Sequence, residues 1–278
     1  MMRHANHIEA NDPKFFALRQ YVIRIGLIWA LLSLIAWAQF GESALIWSLI
    51  ALGGLVIALQ LHLYHKMQIE NFHHYKQVEA LFALYNAVEL PQPIPAMRLW
   101  AASPDLLTII AAQIQQHRPE MILELGSGVS TLVSGHLLKS LGTGKLISLE
   151  HEAGFAAIST ARVEAHGLAE YASVVHTPLT SVALKEGAWQ WYDVTHIPKI
   201  RSIDLLVVDG PPEGLQKRSR YPALPMLFDR LAQGAIIIVD DFMRPDEHAM
   251  VAQWLADYAL DVVEVVDNEK GAIILRKR

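Results

Sequence analysis

The chain has 278 residues, a formal net charge of −5 and no cysteine. The lack of cysteine excludes disulfides and thiolate metal sites, and it fits a reducing compartment. No basic tract accompanies the negative net charge, so we expect no nucleic-acid partner. The mean hydropathy of +0.26 is high for a soluble enzyme, and the apolar excess lies near the N-terminus.

Two apolar runs without charges follow one another near the N-terminus. Ile25–Phe40 and Ala44–Leu61 are separated by only three residues. The second run approaches the length that crosses a bilayer core, and the first is slightly shorter. We therefore predict a two-helix hairpin over residues 25–64 that inserts into a lipid bilayer. A hairpin that dips into one leaflet and a hairpin buried in a soluble oligomer remain open.

Basic residues flank the predicted hairpin on both sides. Lys66 and Lys76 follow it, whereas the turn between its helices carries only Glu42. By the positive-inside rule, both ends of the hairpin face the cytoplasm, in a bacterial-type inner membrane. Residues 1–24 then form a cytoplasmic N-terminal arm, whose basic residues are Arg3, Lys14, Arg19 and Arg24.

Residues 65–99 connect the hairpin to the remainder of the chain. His65–Glu89 has an apolar stripe at helical spacing, which predicts a connecting helix that can pair with a second copy in a homodimer. The following proline-rich stretch predicts a linker. Ser103 and Pro104 then suit the N-cap and first position of a further helix.

From Met121 to the C-terminus, short apolar runs alternate with longer amphipathic segments. This alternation predicts an α/β fold with a parallel sheet covered on both faces. The last two runs are joined by a five-residue turn, which permits only an antiparallel hairpin. The predicted strands are Met121–Leu125, Lys145–Glu150, Ala172–His176, Asp204–Asp209, Ala235–Asp240, Asp261–Val266 and Ala272–Arg276, and the predicted helices are 130–141, 154–166, 221–232 and 246–259.

The first predicted strand ends in a glycine turn that opens a helix. Met121–Thr131 has the sequence MILELGSGVST. Such a strand, turn and helix N-terminus form a nucleotide-type pocket, because the backbone can approach a ligand and free N–H groups point at it. Glu124, just before the turn, favours a ligand with a cationic amino-acid moiety over a pyrophosphate. Glu150, at the end of the next strand, can accept both hydroxyls of a ribose.

The motif E-L-G-S-G, followed by an acidic end to the next strand, resembles motif I and its successor in class I S-adenosylmethionine (SAM) methyltransferases. An antiparallel last strand fits that family and departs from a NAD-binding Rossmann domain, which stays an alternative, as does a turn used only for its geometry. The resemblance implies a Rossmann-like methyltransferase domain over residues 100–278 with SAM as cofactor. It implies cofactor contacts from Glu124, Gly126, Ser127, Gly128, Ser130, Glu150, His151, Thr177 and Asp209.

Three aspartates stand at the ends of the fourth and fifth predicted strands, namely Asp209, Asp240 and Asp241. Ligands of such sheets bind at the carboxyl ends of the strands, and an all-oxygen set suits Mg²⁺. The arrangement resembles the metal-dependent O-methyltransferases of the catechol O-methyltransferase type, in which an Asp and an Asp-Asn pair hold Mg²⁺. The resemblance implies that all three aspartates bind Mg²⁺ and that Asp209 is a catalytic residue. Helix caps are the alternative role.

The sequence departs from the catechol-type pattern at two positions. Asp241 stands where that family has Asn, and Pro212 stands where it has the lysine that acts as base. Glu213 could supply a base instead. Three basic residues of the same loop could supply a cation, although a solvated loop explains them equally well: Lys217, Arg218 and Arg220.

Together these implications predict a membrane-anchored, Mg²⁺-dependent SAM O-methyltransferase. Its acceptor would be a hydroxyl of a small catechol-like or hydrophobic molecule delivered from the membrane. One alternative is a metal-independent methyltransferase that acts on a lipid or glycan. Another is a non-catalytic SAM-binding scaffold anchored in the membrane.

Overall fold

The computed structural model describes residues 13–97, 100–200 and 202–278, with side chains from Arg24 onward. The chain forms two units, of which the first ends at Asn71 and the second comprises Phe72–Arg278. Residues 1–12 of the predicted N-terminal arm lie outside the described residues, as do residues 98 and 99 of the predicted linker. The last part of the predicted arm belongs to a helix that begins at Pro13.

Two long helices, α1 (Pro13–Phe40) and α2 (Glu42–Ala87), follow one another with Gly41 between them. Gly41 adopts φ +77°, a left-handed conformation that glycine accepts without steric cost. The Oγ atoms of Ser33 and Ser48 are 2.5 Å apart, so the two helices fold back on each other. The predicted helical hairpin is therefore present in the backbone.

Helix α2 continues through the segment for which the sequence predicted a separate connecting helix. No Gly or Pro lies between Leu55 and Ala87 to interrupt it. The predicted boundary at residue 64 therefore falls inside one continuous helix.

The hairpin exposes apolar side chains along both of its helices. Within the described ranges, α2 is the one helix long and apolar enough to cross a membrane, with a mean hydropathy of 2.2 in its most apolar window, none of which is buried. The apolar part of α1, Arg24–Phe40, is shorter. Leu31 and Trp47, for example, are 59% and 70% exposed. An apolar surface of this extent is unusual for a soluble monomer.

The second unit is built on a seven-stranded sheet with two further strands beside it. The strands are β1 (Met121–Leu125), β2 (Lys145–Glu150), β3 (Ala172–His176), β4 (Leu179–Leu184), β5 (Gly187–Tyr192), β6 (Ile203–Val208), β7 (Leu231–Asp240), β8 (Leu260–Val266) and β9 (Ala272–Lys277). The sheet order is β3-β2-β1-β6-β7-β9-β8, and β4 pairs with β5 in a separate hairpin. The first five strands of that order run parallel, whereas β9 is antiparallel to β7 and β8. The predicted α/β sheet with an antiparallel end is confirmed.

Helices cover both faces of the sheet and create two apolar layers. Side chains of β1 alternate between them, since Ile122 belongs to one layer and Leu123 and Leu125 belong to the other. The helices are α3 (Pro104–His117), α4 (Val129–Leu141), α5 (Ala153–Ala165), α6 (Ala223–Leu227) and α7 (Pro245–Asp257). The core thus fixes the sheet and leaves the carboxyl ends of its parallel strands as the edge that carries polar side chains.

Two segments differ from the sequence prediction. The predicted helix 221–232 is wrong, because only α6 and one 3₁₀ turn, Phe228–Arg230, form there and β7 already begins at Leu231. Pro222 and Pro225 bound and interrupt this segment. The hairpin of β4 and β5 was not predicted, although its six-residue strands pair along their whole length.

Candidate active site

The predicted acidic residues lie at the carboxyl ends of β1, β2, β6 and β7. Glu124 lies within β1, Glu150 ends β2, Asp209 follows β6, and Asp240 ends β7. Strands β2, β1, β6 and β7 are consecutive in the sheet, so these side chains form one row along its edge. The row has a β1–β2 end with the glycine turn and a β6–β7 end with the aspartates.

The glycine turn after β1 packs against the start of the loop after β6. Gly126 adopts φ +101°, and a Cβ atom there would lie 3.5 Å from the carbonyl oxygen of Asp209. Glycine is thus required by the backbone conformation. The N–H of Gly128 donates to Thr131 Oγ1 at 3.0 Å, which ties the turn to the first residues of α4.

Glu124 is buried beneath this turn. Its Oε2 accepts a hydrogen bond from Thr131 Oγ1 at 2.5 Å, and it is only 1% exposed. Burial raises the pKa of Glu124, while the hydroxyls of Ser130, Thr131 and Ser148 act in the opposite direction. The buried carboxyl group therefore stands behind the turn, stabilised by hydroxyls instead of by a cation.

Glu150 is held in place through both of its carboxylate oxygens. Oε2 accepts hydrogen bonds from the N–H and the hydroxyl of Ser127, at 3.1 and 3.0 Å, and Oε1 accepts one from the N–H of Glu152 at 3.0 Å. His151 Nδ1 lies 3.1 Å from Oε1. Burial acts to raise the pKa of Glu150, but these hydrogen bonds outweigh it and lower the pKa overall. Glu150 is thus a carboxylate that is oriented at the end of β2 beside the glycine turn.

The end of β3 is close to the end of β2, as parallel pairing requires. The N–H of Thr177 donates to the carbonyl oxygen of Glu150 at 2.7 Å. Thr177 is fully buried, and its hydroxyl donates to the carbonyl oxygen of Val175 at 3.1 Å. Thr177 and His151 are both predicted cofactor contacts at this end. The hydroxyl of Thr177 points back to β3, whereas His151 is partly exposed.

At the β6–β7 end, the three predicted metal ligands meet. Asp209, Asp240 and Asp241 each offer one carboxylate oxygen within 4.8 Å of the others. Asp240 and Asp241 are each 2% exposed. Burial raises the pKa of Asp209 and of Asp240, and the neighbouring carboxylates raise both further. The structure thus brings these three residues together, and their binding of a metal stays a prediction.

A guanidinium group lies inside this cluster. Arg220 Nη2 is 2.7 Å from Asp241 Oδ2 and 3.2 Å from Asp209 Oδ1, and Nη1 donates to the carbonyl oxygen of Asp240 at 3.0 Å. Arg220 is 3% exposed, so it is not part of a solvated loop. From the sequence, Arg220 is only one of three candidate cations, because a loop position does not reveal which side chain turns inward.

Three further charged side chains complete the cluster. Arg244 Nη1 is 2.9 Å from Asp241 Oδ2, and Lys270 Nζ is 3.9 Å from Asp241 Oδ1. Glu247 Oε1 lies 4.0 Å from Arg220 Nε. Glu213, the candidate base, is 2.8 Å from Arg244 Nε through its Oε2. Glu213 is therefore engaged in an ion pair beside the cluster.

The carboxylate oxygens that Arg220 leaves free fit a divalent cation. Arg220 bonds only Oδ1 of Asp209 and Oδ2 of Asp241, and Oδ1 of Asp240 and Oδ1 of Asp241 are buried with no hydrogen-bond partner among the described residues. An oxygen-only set with two buried atoms that lack hydrogen bonds has the donor chemistry that Mg²⁺ prefers. Arg220 supplies a permanent positive charge that lets the aspartates approach one another.

Part of the second unit matches the model of a known protein family. Residues 123–242 match the family model described as a methyltransferase domain. The matched range begins in β1 and ends just after Asp241, so it contains both the glycine turn and the three aspartates.

One solved structure shares the fold of this chain, and two others are similar to it at lower scores. The SAH-bound methyltransferase PaMTH1 of Podospora anserina is 16% identical with a TM-score of 0.51, over 73% of this chain and 87% of that chain. The SAH complex of the Bacillus cereus O-methyltransferase is 18% identical with a TM-score of 0.48, over 73% and 90% of the two chains. The SAM complex of TomG from Streptomyces achromogenes is 16% identical with a TM-score of 0.48, over 70% and 90%. Among curated proteins, none matches this sequence significantly.

Proposed function

We propose that this chain is a SAM-dependent O-methyltransferase with the cofactor bound across the ends of β1 and β2. The observation that carries the proposal is the oriented carboxylate of Glu150 beside the glycine turn, where it can accept the ribose hydroxyls. The buried acid Glu124 suits the cationic amino-acid end of SAM, and PaMTH1, which shares the fold, is a methyltransferase bound to SAH. Methyl transfer needs chiefly orientation of donor and acceptor and exclusion of water, both of which a pocket at this edge supplies.

We further propose that Mg²⁺ binds between Asp209, Asp240 and Asp241, through the carboxylate oxygens that Arg220 leaves free. Mg²⁺ held by these carboxylates would lower the pKa of an acceptor hydroxyl and orient it. Arg220 holds Asp209 and Asp241 in position, and Arg244 holds Asp241 from the other side. The acceptor would be a small molecule with two neighbouring oxygens, such as a catechol.

A metal-independent reaction is the second candidate. The contacts of Arg220 favour it, because a guanidinium already neutralises part of the acidic cluster in the protein itself. The position of the family lysine is Pro212, so no base is carried over from the catechol-type pattern. In this case the acceptor would be a lipid or a glycan. A third candidate is a membrane scaffold that binds SAM and does not catalyse methyl transfer.

A methyl-transfer assay separates these readings. The full chain in detergent or vesicles is incubated with methyl-labelled SAM and a panel of catechols, quinols and lipid extracts, with and without EDTA. We expect label to pass to a catechol or quinol and EDTA to abolish the transfer. Transfer that persists in EDTA would overturn the Mg²⁺ mechanism. Tighter binding of NAD(H) than of SAM would overturn the cofactor assignment.

We also propose that the hairpin of α1 and α2 anchors the chain in the inner membrane with the methyltransferase domain in the cytoplasm. The exposed apolar side chains and the basic residues on both flanks support this. The chain has no native cysteine, so single cysteines report topology cleanly. A cysteine at Ser43 should react with an impermeant maleimide from outside intact cells, and one at Pro91 should not. Labelling at Pro91 alone would reverse the orientation, and labelling at neither would favour a hairpin that dips into one leaflet.

A further inference from the structure

The unpredicted hairpin of β4 and β5 brings Tyr192 to the β1–β2 end of the active-site row. Trp189 and Trp191 of β5 belong to the apolar layer below the sheet edge. Tyr192 is the last residue of β5, and its ring meets that of Trp191 edge to face at 5.4 Å and that of His151 at 6.3 Å. Because His151 follows Glu150, the Tyr192 ring lies beside the end of β2.

The hydroxyl of Tyr192 reaches the backbone between the glycine turn and the aspartates. A Cβ atom on Gly210 would lie 2.5 Å from this hydroxyl, 3.0 Å from the carbonyl oxygen of Leu125 and 3.3 Å from the nitrogen of Gly126. Three segments that are distant in sequence therefore meet at one point. That point lies between Glu150, assigned above to the ribose, and Asp209, assigned to the acceptor side.

The Tyr192 hydroxyl has no hydrogen-bond partner in the described part of the chain, although the residue is completely buried. Its ring packing does not explain it, because a phenylalanine ring would make the same contacts with Trp191 and His151. An unpaired buried hydroxyl costs stability, so its presence calls for a partner that the protein does not supply.

The charges around the hydroxyl indicate what that partner is like. Burial raises the pKa of Tyr192, and the carboxylates of Glu150, Asp209 and Glu124 raise it further, while Arg220 acts in the opposite direction. The hydroxyl therefore stays protonated and can both donate and accept a hydrogen bond. The predominance of acidic groups favours a ligand that carries positive charge at this point, as a sulfonium does.

We infer that the Tyr192 hydroxyl is a cofactor-binding group that hydrogen-bonds the ribosyl–sulfonium part of SAM between Glu150 and Asp209. This inference rests on the proposed function, because it takes SAM to be the ligand of the row. Cofactor binding then satisfies a hydroxyl that stays unpaired in the free protein. The unpaired hydroxyl thereby lowers the stability of the free protein and raises its affinity for the cofactor.

The substitution Tyr192→Phe tests this, because it removes the hydroxyl and keeps the ring. The dissociation constant of S-adenosylhomocysteine is measured by calorimetry, and the melting temperature of the ligand-free full chain is measured in parallel. We expect the dissociation constant to rise about five- to tenfold, as for one lost hydrogen bond. We expect the melting temperature to stay the same or rise, because an unpaired buried hydroxyl is removed.

Tyr221→Phe is the matched control. Tyr221 lies in the same aromatic layer, 5.0 Å from the Trp189 ring, and burial and the carboxylates of Glu186 and Asp257 raise its pKa. It should leave the dissociation constant unchanged. Equal affinity of Tyr192→Phe and wild type would overturn the inference while the proposed function stands, as would a lower melting temperature without an affinity change. A wild-type chain that does not bind S-adenosylhomocysteine would overturn both.

Discussion

The two ends of the active-site row hold their carboxylates in different ways. At the β1–β2 end, Glu124 and Glu150 are stabilised by hydroxyl and backbone N–H groups. At the β6–β7 end, Asp209 and Asp241 are stabilised by the full charge of Arg220, a side chain from the intervening loop. Hydrogen-bond dipoles lower the pKa of Glu150, whereas Asp209 and Asp240 keep raised pKa values despite the guanidinium.

This difference shows which carboxylates have hydrogen-bond partners without a ligand. Both oxygens of Glu150 already have partners, so this carboxylate is preorganised in the free protein. The aspartate end retains unpaired buried oxygens on Asp240 and Asp241, so it has acceptor capacity that the described residues do not use. We therefore expect substitutions at the first end to affect chiefly cofactor affinity, and substitutions at the second end to affect stability and its response to cations.

Arg220→Met should give the largest effect, a loss of about 3–5 kcal/mol in the free energy of unfolding at pH 7.5. The substitution keeps much of the volume but leaves Asp209 and Asp241 buried without their principal counter-charge. The loss should shrink as the pH falls, because protonated carboxyls no longer repel one another. Urea unfolding at pH 5.5 and pH 7.5 measures both effects.

Arg218→Met is the control for this variant, because the Arg218 side chain is about one-third exposed and its guanidinium lies 3.9 Å from Glu186 instead of the cluster. It should change stability by less than about 0.5 kcal/mol. Equal effects of the two substitutions would mean that Arg220 does not hold the aspartates together. The contrast between the two ends of the row would then be lost.

Glu150→Ala should weaken SAM binding by about 1–3 kcal/mol, the cost of unmade charge-assisted hydrogen bonds. Glu152→Ala is its neighbour and control, because the Glu152 side chain is 62% exposed and only its backbone N–H bonds Glu150. Calorimetric titration with SAM gives both values. If Glu152→Ala weakens binding as much as Glu150→Ala, the ribose assignment of Glu150 is wrong.

Sequence reasoning succeeded where the determinants are local. The strand, glycine turn and helix of residues 121–131 lie in one continuous stretch, and the alternation of apolar runs gave the sheet with its antiparallel end. It could also place Asp209 and Asp240 at one edge, because parallel strands align their carboxyl ends.

The positions of the other site residues depend on the paths of a loop and a hairpin. Arg220 and Tyr192 act through side chains that a loop and an unpredicted hairpin carry into the row from outside the motifs. The alternation of polar and apolar residues in β4 is weak, so the sequence did not indicate the hairpin that carries Tyr192. Prolines interrupt the segment around α6, so no periodicity indicated the position of Arg220. The hidden part of the site is thus the part that is built by long-range contacts.

The adjacent residues Asp240 and Asp241 give the finest test of the aspartate end. Asp241 accepts contacts from Arg220 and Arg244 at 2.7 and 2.9 Å, so Asp241→Asn should cost about 1–3 kcal/mol in the absence of metal. Backbone strain is no confounder, because asparagine tolerates the φ of +61° found there. Thermal unfolding in EDTA at pH 7 measures the loss.

In EDTA, Asp240→Asn should stay within about 0.5 kcal/mol of wild type near pH 4 and should become the more stable of the two as the pH rises to 7. The carbonyl oxygen that Arg220 contacts is retained, and burial raises the pKa of Asp240 to about 8, so its carboxyl group is already neutral. A raised carboxyl pKa means that the folded state binds more protons than the unfolded state, so stability falls as the pH rises from about 4 to about 8. Asp240→Asn should flatten that fall.

If Mg²⁺ binds, it should raise the melting temperature of wild type most at pH 8, and Asp240→Asn should remove this response. A wild-type chain that shows the pH dependence but no Mg²⁺ response would leave the arginine-based, metal-independent reaction as the explanation of the cluster.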